Sequence, residues 1–112
     1  MRENEEKKLS DAELKVMAVI WDSDESLDLM GVLKRANERF QMQWKPQTVS
    51  TFLVKCRKKG YLSSERKGRH FYYTPKVSKE EYFLKLLQEY CYVLNIPNET
   101  LIAEAERIFS EQ

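Results

Sequence analysis

Residues 44–60 read WKPQTVSTFLVKCRKKG, and the spacing within this stretch decides the fold. Val49, Phe52, Leu53 and Cys56 fall at i, i+3, i+4 and i+7, which is one apolar face of a helix. Gln47, Thr51, Val54 and Lys58 run down the opposite side, flanked by Thr48, Ser50 and Lys55. Pro46 suits the first helical turn, where a missing N–H costs nothing. Gly60 supplies a left-handed stop, and Arg57, Lys58 and Lys59 lie at the negative end of the helix dipole. The helix has one face for a core and one rich in groups that hydrogen-bond base edges, touch a thymine methyl or neutralise phosphate.

Beyond Gly60 the period switches from 3.6 to 2. Residues 61–66 and 69–74 read as two strands around Lys67-Gly68, ended by Pro75, with Leu62, Phe71 and Tyr73 facing the helices. That leaves Arg66, Lys67 and Arg69 around a protruding tip. His70 has no partner ligands and reads as an exposed strand residue. Upstream, Ser10 and Glu13 form a capping box, with Leu9 and Leu14 as a staple, opening a helix to about Asp22. Its apolar set is Leu14, Met17, Ala18, Ile20 and Trp21. A second helix starts from Asp28 and buries Leu29, Val32, Leu33, Ala36 and Phe40. Gly31 within it is read as a point of close helix–helix approach. Trp44 is expected to pack where the chain enters the third helix.

The net charge of +1 hides a strong asymmetry. Residues 44–76 hold nine Lys or Arg against one acid, Glu65, giving +8, while the segments on either side are net negative. Two basic clusters, KCRKK and RKGR, fall close together in this block. A field so concentrated points to a polyanionic partner, and the central helix then reads as a DNA recognition helix.

Composition excludes several classes. No apolar run approaches a membrane span, and no cleavable signal precedes the first helix, so a cytoplasmic protein without membrane contact is expected. Cys56 and Cys91 each sit in an apolar stripe and read as reduced core thiols. With no clustered Cys/His set, neither a metal nor any other cofactor is expected. One His, no Gly-rich phosphate loop and no nucleophile–base constellation argue against an enzyme.

The C-terminal third reads as two amphipathic helices. Ser78 and Glu81 form a capping box for the first, which carries Tyr82, Phe83, Leu86, Leu87, Tyr90, Cys91, Val93 and Leu94. Asn98 is expected to cap the second, with Leu101, Ile102, Ala105, Ile108 and Phe109 along it. Stripes this wide after a complete small domain are read as a dimerisation region, led by Tyr82, Phe83, Leu86, Leu87, Tyr90, Leu94, Leu101, Ile102, Ile108 and Phe109. An alternative is a module for protein–protein interaction or small-ligand sensing through these helices, with a pocket lined by Tyr82, Phe83, Tyr90 and Tyr92. The expected layout is a flexible tail at 1–8, a winged helix–turn–helix domain at 9–77 and the helical region at 78–112. The fold class is mainly α with a small β-hairpin.

LSDAELKVMAVIW at 9–21, WKPQTVSTFL at 44–53, KKGYL at 58–62 and GRHFYYTP at 68–75 together resemble the penicillinase repressor family, which includes copper-responsive members. The resemblance spans about residues 9–77. It implies a homodimeric repressor on a palindromic double-stranded DNA operator, with the third helix in the major groove and the wing on the backbone. Carried over by position, Gln47, Thr48, Ser50 and Thr51 would read bases. Lys45, Lys55, Lys58, Lys67 and Arg69 would hold phosphates, joined by Arg66 at the wing tip. The copper branch carries a Cys-rich C-terminal motif, whereas this chain has only Cys91 there, so copper sensing is not expected. No cleavage site of the penicillinase branch matches, which leaves the upstream sensor or protease unassigned.

Overall fold

The computed structural model describes residues 8–111, so residues 1–7 of the expected tail lie outside the described residues. The element order is α1 (Asp11–Trp21), α2 (Leu29–Phe40), α3 (Pro46–Lys58), β1 (Leu62–Lys67), β2 (His70–Pro75), α4 (Lys79–Leu94) and α5 (Asn98–Ser110). The chain divides into two compact units, the first ending at Lys79 and the second beginning at Glu80.

In the first unit, α1, α2 and α3 pack on one another and on the hairpin. α1 begins as its sequence dictates. The Ser10 hydroxyl accepts from the Glu13 N–H at 3.2 Å, and the Glu13 carboxylate accepts from the Ser10 N–H at 3.0 Å. Its buried face is Val16, Met17, Val19 and Ile20 with Glu13, whereas Leu14 is exposed. The apolar stripe is thus rotated from the expected set. Asp28 caps α2 through the Gly31 N–H at 2.9 Å. A Cβ on Gly31 would lie 3.2 Å from that same Asp28 oxygen and 3.4 Å from Leu27, so the glycine makes room for the cap and for Leu27, not for a neighbouring helix.

α2 stops at Gln41, whose φ of 56° is left-handed, and the Met42 N–H returns to the Asn37 carbonyl at 3.1 Å. The Asn37 side chain then spans the turn. Its amide donates to the Trp44 carbonyl at 3.1 Å, and its oxygen accepts the Trp44 N–H at 3.0 Å. Trp44 packs edge-on against Phe52, with centroids 5.1 Å apart. α3 follows with Pro46 in its first turn and ends in a Schellman motif. Gly60 (φ 91°) donates to Arg57 O and Tyr61 to Cys56 O, each at 3.0 Å. Val49, Leu53 and Cys56 are wholly buried, and closing such side chains from water is worth about 1.5–3 kcal/mol for each of the larger ones.

The hairpin pairs antiparallel from Leu62↔Pro75 to Lys67↔His70, so the turn is Gly68-Arg69, one residue later than expected. Gly68 carries the positive φ of 66° at the first turn position, the arrangement of a type II′ turn. Leu62 is buried and Tyr73 half-buried, with the Tyr73 N–H bonded to Leu27 O at 2.9 Å. Phe71 lies on the same face as both, but 48% exposed. Its expected burial is corrected: register puts it beside Arg66 near the tip, past the reach of the helices. After β2, the Lys76 N–H bonds Tyr61 O at 2.8 Å, and Trp21 Nε1 donates to Val77 O at 2.9 Å.

In the second unit, α4 ends at Asn95 (φ 59°), with the Ile96 N–H on Cys91 O at 2.9 Å. α5 is capped by Pro97, not by Asn98 as expected. Pro97 holds the extended backbone of a cap position (φ −65°, ψ 152°) and its carbonyl takes the Leu101 N–H, which places Asn98 already inside the helix. An open groove of about 580 Å³ between α4 and α5 is lined by Leu84, Leu87, Cys91 and Leu101, with Glu81, Lys85, Gln88 and Asn98. None of Tyr82, Phe83, Tyr90 and Tyr92 lines it, so the pocket expected from those four aromatics is not formed within the groove. Among the expected dimerisation residues, Tyr82, Leu86, Leu87 and Leu101 are half-buried, and Phe83, Tyr90, Leu94, Ile102, Ile108 and Phe109 are exposed. Cys91 is buried.

Candidate nucleic-acid interface

The exposed side of α3 is an uninterrupted stripe of Gln47, Thr51, Val54, Lys55 and Lys58, with Lys45 just before the helix. Thr48 and Ser50 are only half-exposed, at the stripe's edges. The Thr51 hydroxyl donates to Gln47 O at 3.1 Å, an i−4 bond that occupies its proton and leaves the methyl and the oxygen lone pairs outward. Gln47, at the N-terminal turn, is exposed, and no hydrogen bond within the chain occupies its side-chain amide among the described contacts. Arg57 Nη1 reaches Ser64 Oγ at 3.4 Å and links α3 to β1.

On the wing, the three tip cations differ. Arg66 folds back, its Nε donating to Gly68 O at 3.1 Å. Lys67 Nζ stands 5.7 Å from the centre of the Tyr72 ring. Arg69, the second turn residue, is exposed. His70 is exposed as expected, but not isolated: its Nδ1 lies 3.6 Å from the Asp28 carboxylate, across from the wing to the cap of α2.

Lys59 leaves the basic field altogether. Its Nζ is 2.6 Å from Glu13 Oε1 and also donates to Lys8 O at 2.9 Å. Glu13 is 3% exposed and is the buried charged residue of the core among the described residues. Burial pushes its carboxyl upward, but the hydrogen bond from Lys59, the Ser10 backbone N–H and the nearby lysine charge outweigh that and hold it below the ordinary carboxylate value. Cys56 donates weakly to Glu13 O at 3.9 Å, and burial, reinforced by the Glu13 charge, pushes its thiol up to about 12. One carboxylate thus closes the capping box of α1 and clamps the last turn of α3.

Sequence reasoning found the helix, the wing and their cations, but not the contacts that hold them: it placed Glu13 only in the capping box, Lys59 only at the helix end and Trp21 only in the apolar set of α1, and it did not single out Asn37. For Asn37 a signal existed, since an Asn near the end of a helix competes for backbone partners. Glu13 and Lys59 lie 46 positions apart, and periodicity carries no such information.

The sequence profile of the penicillinase repressor family matches residues 9–100. The chain is 39% identical over 74 residues to the penicillinase repressor of Bacillus licheniformis, covering 66% of this chain and 56% of that protein. It is 31% identical over 75 residues to an uncharacterized 16.5 kDa protein of Latilactobacillus sakei, covering 65% and 48%. The chain therefore spans about half the length of the curated relatives it matches. Among solved structures, the DNA-binding domain of the repressor BlaI aligns with a TM-score of 0.57 at 39% identity, over 67% of this chain and 88% of that one. The monomeric form of Bacillus licheniformis BlaI in complex with the blaP half-operator aligns at 0.55 and 37%, with the same coverage. A complex of hsRosR-S1 aligns at 0.61 over 92% of this chain and 90% of that one, at 12% identity, a likeness of fold alone. The three-helix unit with its basic hairpin is a winged helix–turn–helix, and the chain belongs to the penicillinase repressor family.

Proposed function

We propose that this protein is a transcriptional repressor that binds a palindromic operator as a homodimer. α3 lies in the major groove of each half-site and the wing lies on the backbone. Gln47 and Thr51 read base edges from the centre of the stripe, and Thr48 and Ser50 contribute from its margins. Lys45, Lys55, Lys58, Arg66, Lys67 and Arg69 neutralise phosphates, and the Nε of Arg66 also braces the turn that presents Arg69. The helices of residues 78–112 join the two copies.

The observation that carries this reading is the exposed α3 stripe, set within a unit 39% identical to a DNA-binding domain whose relative was solved on a half-operator. A base-reading Gln47 has a sharp consequence. On a duplex selected from a randomised pool by the full chain, Gln47→Ala lowers affinity by about 1–3 kcal/mol, with little change on scrambled duplex. Equal loss on both duplexes, measured by fluorescence anisotropy, would remove Gln47 from the reading face.

A further inference from the structure

The exposed stripe of α3 carries apolar groups at its centre. Val54 is 38% exposed, whereas Val49 and Leu53 on the core face are at 0% and 1%. Three residues before Val54, Thr51 gives its hydroxyl proton to Gln47 O at 3.1 Å, which leaves the threonine methyl outward. Residues three apart on a helix are surface neighbours, with Cβ atoms about 5–6 Å apart. Val54 and the Thr51 methyl therefore make one small apolar patch, with Gln47 before it on the stripe and Lys55 and Lys58 after it.

The helix itself gains little from a valine at this position. Its β-branch lowers helix propensity, and a lysine or glutamine suits an exposed site better. Valine is well suited to contact, because one χ1 rotamer dominates in a helix and both methyls are presented at little cost in entropy. With α3 in the major groove, those methyls meet base edges. The edges there present donors, acceptors and a single kind of apolar group, the C5-methyl of thymine. Methyls laid on a donor or an acceptor strip it of water and give no hydrogen bond in return. The patch thus favours thymine and works against the other bases.

We infer that Val54 is a specificity-determining residue that reads a thymine methyl in each half-site, together with the methyl of Thr51. The inference rests on the reading of α3 as the major-groove helix. It adds to the hydrogen bonding of Gln47 a contact that involves neither charge nor a polar group.

The test compares thymine with deoxyuridine, which pairs with adenine in the same way but lacks the methyl. The full chain selects a duplex from a randomised pool, and each thymine of one half-site is then replaced singly by deoxyuridine. At one or two positions the wild-type chain is expected to lose about fourfold in affinity, the worth of burying one methyl-sized group. Val54→Ala is expected to bind the thymine duplex more weakly by a similar factor and to be indifferent to deoxyuridine at one of those positions. Each ratio compares two duplexes with the same protein, so the folded fraction cancels, as does any effect of deoxyuridine on the duplex itself. If Val54→Ala distinguishes the two bases at every position as the wild type does, Val54 reads no methyl and the inference is wrong. It is equally wrong if the wild-type chain ignores deoxyuridine throughout, or if the selected half-site holds no A·T pair. Those results leave the major-groove reading standing as long as the chain prefers its selected duplex to a scrambled one. If it shows no such preference, that reading fails first and takes the inference with it.

Discussion

Glu13→Gln removes one charge from the clamp between α1 and α3 while keeping the shape of the side chain. Ser10 N–H and Lys59 Nζ both donate to Oε1, and a glutamine oxygen can still accept from each, so what is lost is the charge pairing with Lys59 across 2.6 Å, between side chains 5% and 25% exposed. Breaking a fully buried pair costs about 3–5 kcal/mol because the survivor is left charged and dry. Here the survivor is the more exposed partner and can turn to water, so the cost should be lower, at about 2 kcal/mol. For a domain of this size that corresponds to a fall in Tm of about 8–16 °C. Lys59→Met is the harsher change, since it strands the carboxylate that is nearly sealed from solvent. Its cost should lie within the range of about 3–5 kcal/mol.

The pH dependence of Glu13→Gln has a definite sign. Glu13 titrates below its unfolded value, ordinarily about 4.3, so its contribution is fully present above that pH and is lost as pH falls through the folded value. Urea unfolding of wild type and Glu13→Gln should therefore show a constant gap between about pH 7 and about 5.5 that narrows in acid. Lys59→Met should recover relative stability in acid too, as the stranded carboxyl takes a proton. A gap under about 0.5 kcal/mol at neutral pH, or one that widens in acid, would refute the clamp. So would Glu13→Gln proving costlier than Lys59→Met.

Two further outcomes are expected. Asn37→Ala deletes both side-chain bonds to Trp44 and should cost about 1–3 kcal/mol in thermal unfolding. The loss should come with weaker DNA binding even after correction for the folded fraction, because the turn that aims α3 is loosened; binding that follows the folded fraction alone would limit Asn37 to stability. Arg69→Ala should weaken binding to every duplex alike and lower the slope of log affinity against log salt by about 0.9, the release of one phosphate's counterion. A changed base preference would instead place Arg69 among the reading residues.

Much of the fold was legible because it is written at short range. The capping box at Ser10 and Glu13, the Asp28 cap, Pro46 in its turn and the Gly60 stop are each decided within a few residues, and each forms as the sequence dictates. Departures arose where competing local options differ little in energy. Asn98 is a strong cap former, yet Pro97 is already extended and takes the position. Lys67-Gly68 and Gly68-Arg69 are both two-residue turns, and a glycine at the first position favours the second. Alternation put Phe71 on the correct face but could not say how far the helices reach along it. At the interface, the stripe of α3 follows from period alone. The supports of that stripe do not, since the Glu13–Lys59 and Trp21–Val77 contacts join positions that no local pattern connects.

The burial of Cys56 has a practical consequence. Cys56 is sealed within the core with its thiol pushed up to about 12, so it offers no thiolate to reagents at neutral pH, whereas Cys91 borders the open groove between α4 and α5. Cys91→Ser alone would leave a chain blank to maleimide chemistry. Gln43→Cys, at an exposed position in the turn before α3, would then carry a spin label or fluorophore with the core thiol left in place. Distances between two such labels on one operator would then report directly how far apart a pair of reading helices is held.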